Sequence, residues 1–206
     1  MSNKLNVGAG ESFIEGWINL DKTSSPDINI NFDLDLIPEK KIPLDENSID
    51  TILMSHVIEH LRNPFDVMQD LYRLAKSNAT LMIRTPHGGN DEAWIDPTHI
   101  RPYFPRSFTY FSQPKYYKFD YSYLGDWRTD TIVLCTPLYQ HAKKDFNSVI
   151  NAINTQRNLV SELVVYLKAI KPARERKKEL MTAPNTIITD SIPLGFFEPE
   201  NILHGN

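Results

Sequence analysis

Three stretches of this 206-residue chain carry side chains that could do chemistry. The first is Leu5-Asn6-Val7-Gly8-Ala9-Gly10, followed by Asp21 at the end of Gly16-Trp17-Ile18-Asn19-Leu20-Asp21. An apolar run that turns abruptly into Gly-x-Gly reads as a buried strand ending where a ligand approaches the backbone. Glycine suits that place because it lacks a Cβ and tolerates φ > 0. A second apolar run ending in a carboxylate sets an acceptor pair beside the same crevice, where a ribose diol could bind. The second stretch is Ser55-His56-Val57-Ile58-Glu59-His60-Leu61, and the third runs from His87 through Trp94, Asp96, His99 and Arg101 to Tyr103. Histidine, with an ordinary pKa near 6.5, can take a proton from a hydroxyl at neutral pH. His56, His87 and His99 are the candidate bases, with Asp96 as an orienter. His87, Trp94, His99, Arg101 and Tyr103 have the mix of aromatic, cationic and imidazole groups expected of a substrate lid.

The elements that must position these residues alternate in type, so the chain reads as α/β. Strands are expected at Leu5–Val7, Ile18–Asp21, Ile28–Phe32, Thr51–Met54 and Ala79–Thr85. A helix is expected over Phe65–Ala75, where Phe65, Met68, Leu71 and Leu74 share one face. The link Glu11–Glu15 is too short for the crossover helix that normally joins parallel strands, so a reduced turn is expected there. Pro105 starts a short helix, and Tyr116–Leu124 with Asp130–Thr136 read as an antiparallel pair joined by the turn Gly125-Asp126-Trp127-Arg128. Beyond Asp145, Val149, Ile153, Val160, Leu163, Val164, Leu167 and Ile170 recur at three- and four-residue steps. This predicts one long amphipathic helix, packed on the sheet or forming a homodimer seam. The division expected is a Rossmann-like domain over residues 1–137 and a helical extension with a tail over 138–206. The run Arg174–Glu179 is mixed in charge and reads as a solvated face, and Thr186–Thr189 is strand-like.

Spacing argues against one cofactor class. A dinucleotide fingerprint wants a third glycine and an acid about 20 residues on. Here Phe13 holds the third position and Asp21 follows Gly10 closely, which disfavours nicotinamide. Gly-x-Gly with a strand-end Asp resembles the opening motifs of class I S-adenosylmethionine (SAM) methyltransferases. The run from Leu44-Asp45-Glu46-Asn47-Ser48-Ile49-Asp50 to Ser55–Leu61, then Asn63-Pro64, is similar to the fourth-strand region of one large group of these enzymes. The resemblance covers roughly residues 5–136. It implies a doubly wound, mostly parallel sheet, SAM as cofactor and S-adenosylhomocysteine as product. It also implies that Asn6, Gly8, Ala9 and Gly10 lie near the methionyl part, Asp21 at the ribose, and Asp33 with Leu34 at adenine. Met54, Ser55 and His56 would face the methyl-transfer path. An oxygen of a sugar or other small polar metabolite is the favoured acceptor.

Two other readings compete. His56-x-x-Glu59-His60 matches the inverted zinc peptidases, in which two histidines hold zinc and the glutamate is the base. His56 stands at a strand exit, however, and no third ligand is announced. His87, Asp96 and His99 have irregular spacing for a cation, so no metal is expected. A SAM-fold protein that binds without catalysis is the remaining alternative. Net charge −4 gives no reason to expect nucleic acid, no apolar run approaches a membrane span, and the single Cys135 cannot form an internal disulfide. A cytoplasmic location is the expectation.

Overall fold

Apolar runs punctuated by turn residues become strands in the computed structural model, which describes residues 3–136 and 145–190. They are β1 (Lys4–Val7), β2 (Ile18–Asp21), β3 (Ile30–Asn31), β4 (Ile49–Ser55), β5 (Ala75–Pro86), β6 (Trp127–Cys135), β7 (Glu162–Ala169) and β8 (Asn185–Thr189). All join one sheet in the order β3-β2-β1-β4-β5-β7-β6-β8. The first five run parallel, β7 inserts antiparallel between β5 and β6, and β8 lies parallel to β6 at the edge. Strand order reverses between β1 and β4. The crevice at their carboxyl ends is where an open α/β sheet binds its ligand.

One helix supplies the crossover from β4 to β5. Helix α1 (Pro64–Leu74) starts with proline at its first turn, where the missing N–H is harmless. Val67, Met68, Leu71 and Leu74 follow at three- and four-residue steps and are fully buried. The indole of Trp127 donates to the Met68 carbonyl at 2.9 Å, fixing α1 to β6. Between β5 and β6 come the single turn α2 (Glu92–Ile95) and two 3-10 segments, Pro105–Phe111 and Gln113–Tyr117. Phe65, Phe108, Phe111, Tyr116 and Tyr123 pack there as an aromatic block over the same side of the sheet. The β1–β2 link carries no helix, as its length predicts. Side-chain amides hold it instead: Asn6 donates to Ser12 O and Asn19 Oδ1, both at 3.0 Å, and Asn19 donates to Ile14 O at 3.0 Å. Ile14 and Trp17 are thereby laid on the second sheet face, against Leu53, Met82 and Val164.

Three expectations are corrected. The long helix over 145–170 does not form. Helix α3 (Phe146–Thr155) starts at Asp145, whose carboxylate accepts from Ser148 N–H at 3.1 Å, and it stops after ten residues. Asn158, at φ +62°, turns the chain, and Leu163 through Leu167 become the middle of β7, each 0% exposed. A strand buried on both faces is a continuous apolar run, and a run contains three- and four-residue spacings by default. Leu163 and Leu167 are therefore interior, and the continuous helix on which a homodimer seam was expected is replaced by α3 and β7. Tyr116–Leu124 is not a strand either. The 3-10 segment Gln113–Tyr117 takes its start and Ser122 has φ +59°, while Trp127 and Arg128, expected in a turn, open β6. The charged run 174–179 is partly docked. Arg174 holds the buried Asp126 through Nε and Nη2, both at 2.8 Å, and Arg176 reaches Asp120 at 2.7 Å. The strand-like Thr186–Thr189 lies within β8. The boundary expected at 137 and the tail 191–206 lie outside the described residues.

Candidate active site

The carboxyl ends of β1, β2 and β4 open into a cleft of 620 Å³, within the usual size of small-molecule sites. Gly8 turns the chain at φ +67°, and its N–H and that of Ala9 both donate to Leu20 O, at 2.8 and 3.0 Å. A Cβ on Gly8 would stand 2.3 Å from Val57 Cγ2, so glycine is required here by conformation and by space. Gly10 N–H donates to Asp21 Oδ2 at 2.9 Å, and Thr23 N–H donates to Oδ1 at 2.7 Å. Each oxygen keeps a further lone pair, and Asp21 lines the cleft. Asp33 accepts from Asp35 N–H at 3.0 Å and so caps the 3-10 turn Leu34–Leu36; Asp33 and Leu34 also line the cleft.

The opposite wall begins where β4 leaves the sheet. His56 adopts φ +54°, and its N–H donates to Arg84 O at 2.9 Å. The ring lies between two carboxylates: Nε2 is 3.3 Å from Glu162 Oε1 and Nδ1 is 3.4 Å from Glu59 Oε1. Glu162, then Glu59, outweigh burial and raise the His56 pKa to about 9. Burial pushes the Glu162 carboxyl up, but His56 and Arg84 together hold it below its usual range. Arg84 donates to Glu162 Oε2 from Nη2 at 2.7 Å. Glu162 sits at the start of β7, and reading that segment as a helix hid it from the sequence analysis.

The lid residues divide. The Glu59 carbonyl accepts from Ile100 N–H at 2.8 Å and Arg101 N–H at 3.3 Å, which docks the loop on the turn Ile58–His60. Pro97, Thr98 and Ile100 consequently line the cleft with His56 and His60. The rings of His60 and His99 meet edge to face, 4.7 Å between centroids. Asp96 Oδ2 is 3.7 Å from His99 Nε2, and Asp96 Oδ1 accepts from the Thr98 hydroxyl, the main cause of its lowered pKa. His87 is elsewhere. It is 6% exposed, accepts from Gly89 N–H at 3.1 Å through Nδ1, and packs on Phe104; burial lowers its pKa to about 4.

Several expected site residues serve the fold and do not line the cleft. Asn6 is buried and latches the β1–β2 link, Ala9 is buried under it, and Met54 lies in the core. Ser55, Gly10 and Arg101 are not among the lining residues, and Trp94, 59% exposed, ties its indole to Gly88 O at 2.9 Å. Tyr103 is buried and bridges His87. Neither His87 nor Tyr103 lines the cleft; both are buried and paired by an isolated β-bridge. The zinc-peptidase pairing of His56 with His60 also loses its basis, since His56 stands outside any helix at φ +54° and Ile58–His60 is a single 3-10 turn. Lys22, Phe32, Leu61 and Arg62, which also line the cleft, went unmarked. They adjoin motif residues, and the motif ends were the available signal.

The comparisons agree with this geometry. Residues 11–119 match the methyltransferase domain family, more than half of the chain, and the chain belongs to that family. Among solved structures, a SAM-dependent methyltransferase from Archaeoglobus fulgidus is similar, with TM-score 0.56 and 20% identity over 81% of this chain and 86% of that one. A SAM-dependent methyltransferase from Thermotoga maritima gives TM-score 0.53 and 9% identity, covering 82% of each chain. No curated protein matches the chain. The fold is thus the class I methyltransferase fold, and the cofactor is SAM. The glycine turn at residue 8, closed to any Cβ, and the acids Asp21 and Asp33 on one rim fit that cofactor. Among the described residues no helix is long and apolar enough to cross a membrane.

Proposed function

We propose that this chain transfers a methyl group from SAM to an oxygen of a small polar acceptor such as a sugar hydroxyl. The observation that supports it is a single cleft with the Gly8–Asp21–Asp33 rim on one side and His56, His60 and Thr98 on the other. When bound, SAM supplies an electrophilic methyl group, which leaves binding, orientation and water exclusion to the protein. Asp21 accepts from the ribose hydroxyls, Asp33 accepts from the adenine amino group, and Leu34 packs on the ring. Gly8 leaves room for the methionyl part, and Gly10 positions Asp21 through its N–H. Both ring nitrogens of His56 already face carboxylates, so this residue orients the acceptor and balances charge. The acceptor proton leaves to solvent on the His60–Thr98 side of the cleft. A single buried cysteine suits a reducing cytoplasm.

Calorimetry with SAM, S-adenosylhomocysteine and NAD tests the cofactor half, and NAD binding without SAM binding would overturn it. The acceptor half is tested by screening hydroxylated metabolites with methyl-labelled SAM. An O-methyl product is expected, and an N- or C-methyl product refutes the proposed acceptor.

A further inference from the structure

Glu59 is 2% exposed, and neither oxygen of its carboxylate has a hydrogen-bond partner among the described residues. Oε1 has His56 Nδ1 at 3.4 Å, an ion-pair distance without hydrogen-bond alignment. A carboxylate withdrawn from water without hydrogen bonds is costly; His56 supplies a charge at ion-pair distance, but the lone pairs of both oxygens remain open to a ligated ion. One ligand atom of each of Glu59, His60 and His99 lies within 4.8 Å of the other two.

Both imidazoles are set in one tautomer by their outer contacts. His60 Nδ1 faces the Thr98 carbonyl at 3.3 Å and the Thr98 hydroxyl at 3.0 Å. That hydroxyl spends its proton on Asp96 Oδ1 at 2.7 Å, so both Thr98 groups can only accept. His60 Nδ1 therefore carries the proton and Nε2 carries the lone pair. His99 Nδ1 lies 3.3 Å from the Ala93 carbonyl, again only an acceptor, and the same result follows. Asp96 Oδ2 stands 3.7 Å from His99 Nε2, so an anion adjoins a lone pair. Nitrogens held this way, with the outer N–H on a carbonyl, are how proteins present histidine to a metal.

We infer that Glu59, His60 and His99 bind one divalent first-row transition metal, with Asp96 beside it. Two imidazoles and one carboxylate suit Zn²⁺, Co²⁺, Ni²⁺ or Mn²⁺ better than Mg²⁺ or Ca²⁺, which prefer oxygen throughout. Ligands around such an ion stand about 3.4 Å apart, so side-chain rotation closes the present spread. The set differs from the peptidase pattern: His99 replaces His56, and Glu59 becomes a ligand. Three protein ligands leave a position open, and of the residues around the site His60 and Thr98 line the cleft. The metal's role rests on the methyltransferase reading; its binding does not. In that role the cation lowers the pKa of a coordinated acceptor hydroxyl, whose proton departs to solvent.

The test uses the full chain, stripped with a chelator and titrated with Co²⁺ by visible absorption and with Zn²⁺ by calorimetry. One equivalent is expected. Glu59→Gln and His99→Ala should each weaken affinity about 100-fold or more, and Thr98→Val, which breaks the Asp96–Thr98–His60 chain, about 10-fold. Melting curves and SAM titration establish that the variants fold; should Glu59→Gln fail, His99→Ala and Thr98→Val carry the test. Substoichiometric metal in the unmodified protein, or equal affinity in all variants, overturns the inference. SAM binding without metal binding removes the metal and keeps the methyltransferase reading. Metal binding without SAM binding does the reverse.

Discussion

The two walls of the cleft are built by different means. The rim proposed for the cofactor is held by backbone groups: Gly8 N–H donates to Leu20 O and Gly10 N–H to Asp21 Oδ2, between residues 12 or fewer apart. The wall proposed for the acceptor is side chain, and its members come from distant places. Glu162 reaches His56 and Arg84 from 78 or more residues away, and Thr98 reaches His60 across 38. Short-range parts can be read locally and are tolerant of what happens elsewhere. Long-range parts exist only when the sheet order is correct, so they should fail in function before they fail in folding.

The largest effect expected is on turnover, from the acceptor wall. His56→Ala should lower turnover about 10²–10³-fold, the range for removing one positioned electrostatic group, with SAM affinity unchanged. Full turnover in the variant would erase the distinction between the walls. The rim should instead fail by folding. Gly8→Ala forces a side chain into φ +67° and against Val57, and a loss of about 2–4 kcal/mol in chemical denaturation is expected. A loss near zero would mean that Val57 simply turns aside.

His87 sharpens the boundary of the acceptor wall, because it is buried and neutral where His56 is not. Its folded pKa of about 4 lies below the ordinary 6.5, so the unfolded chain binds a proton that the folded chain refuses. The contribution is therefore whole above pH 6.5 and is lost as pH falls through about 4, by an order of 3 kcal/mol. Denaturation midpoints of His87→Phe should fall less steeply over that window than those of the unmodified protein. Equal slopes would show that His87 is solvated. The smallest effect is on cofactor affinity: Asp21→Ala should weaken SAM binding by about 1.5–3 kcal/mol while leaving acceptor affinity unchanged. Unchanged SAM affinity in a folded variant takes Asp21 out of the site.

The local parts were legible in the residues. Gly8 followed by Asp21 and Asp33, each closing an apolar run, announces three strand ends on one rim, because a strand end and its turn are set by neighbours in sequence. Helix α1 was legible because its three- and four-residue steps lie between a proline start and polar gaps. What failed was β7. Its apolar residues satisfy a helical period only because both faces are buried, and nothing between Val160 and Ile170 distinguishes a central strand from a helix.

The sequence by itself therefore determined the meeting of Gly8, Asp21 and Asp33 on one rim, the fold class and the family, since each depends on short spans whose conformation follows from glycine freedom, turn residues and periodicity. Only the tertiary structure decided that β7 enters the sheet between β5 and β6, which brings Glu162 and Arg84 to His56. It also decided that the loop after α2 folds back on the Glu59 carbonyl and lays His99 against His60. The physical reason is the same in both cases. A side chain's partner across the sheet or across a loop is chosen by packing of the whole, and no spacing along the chain records it.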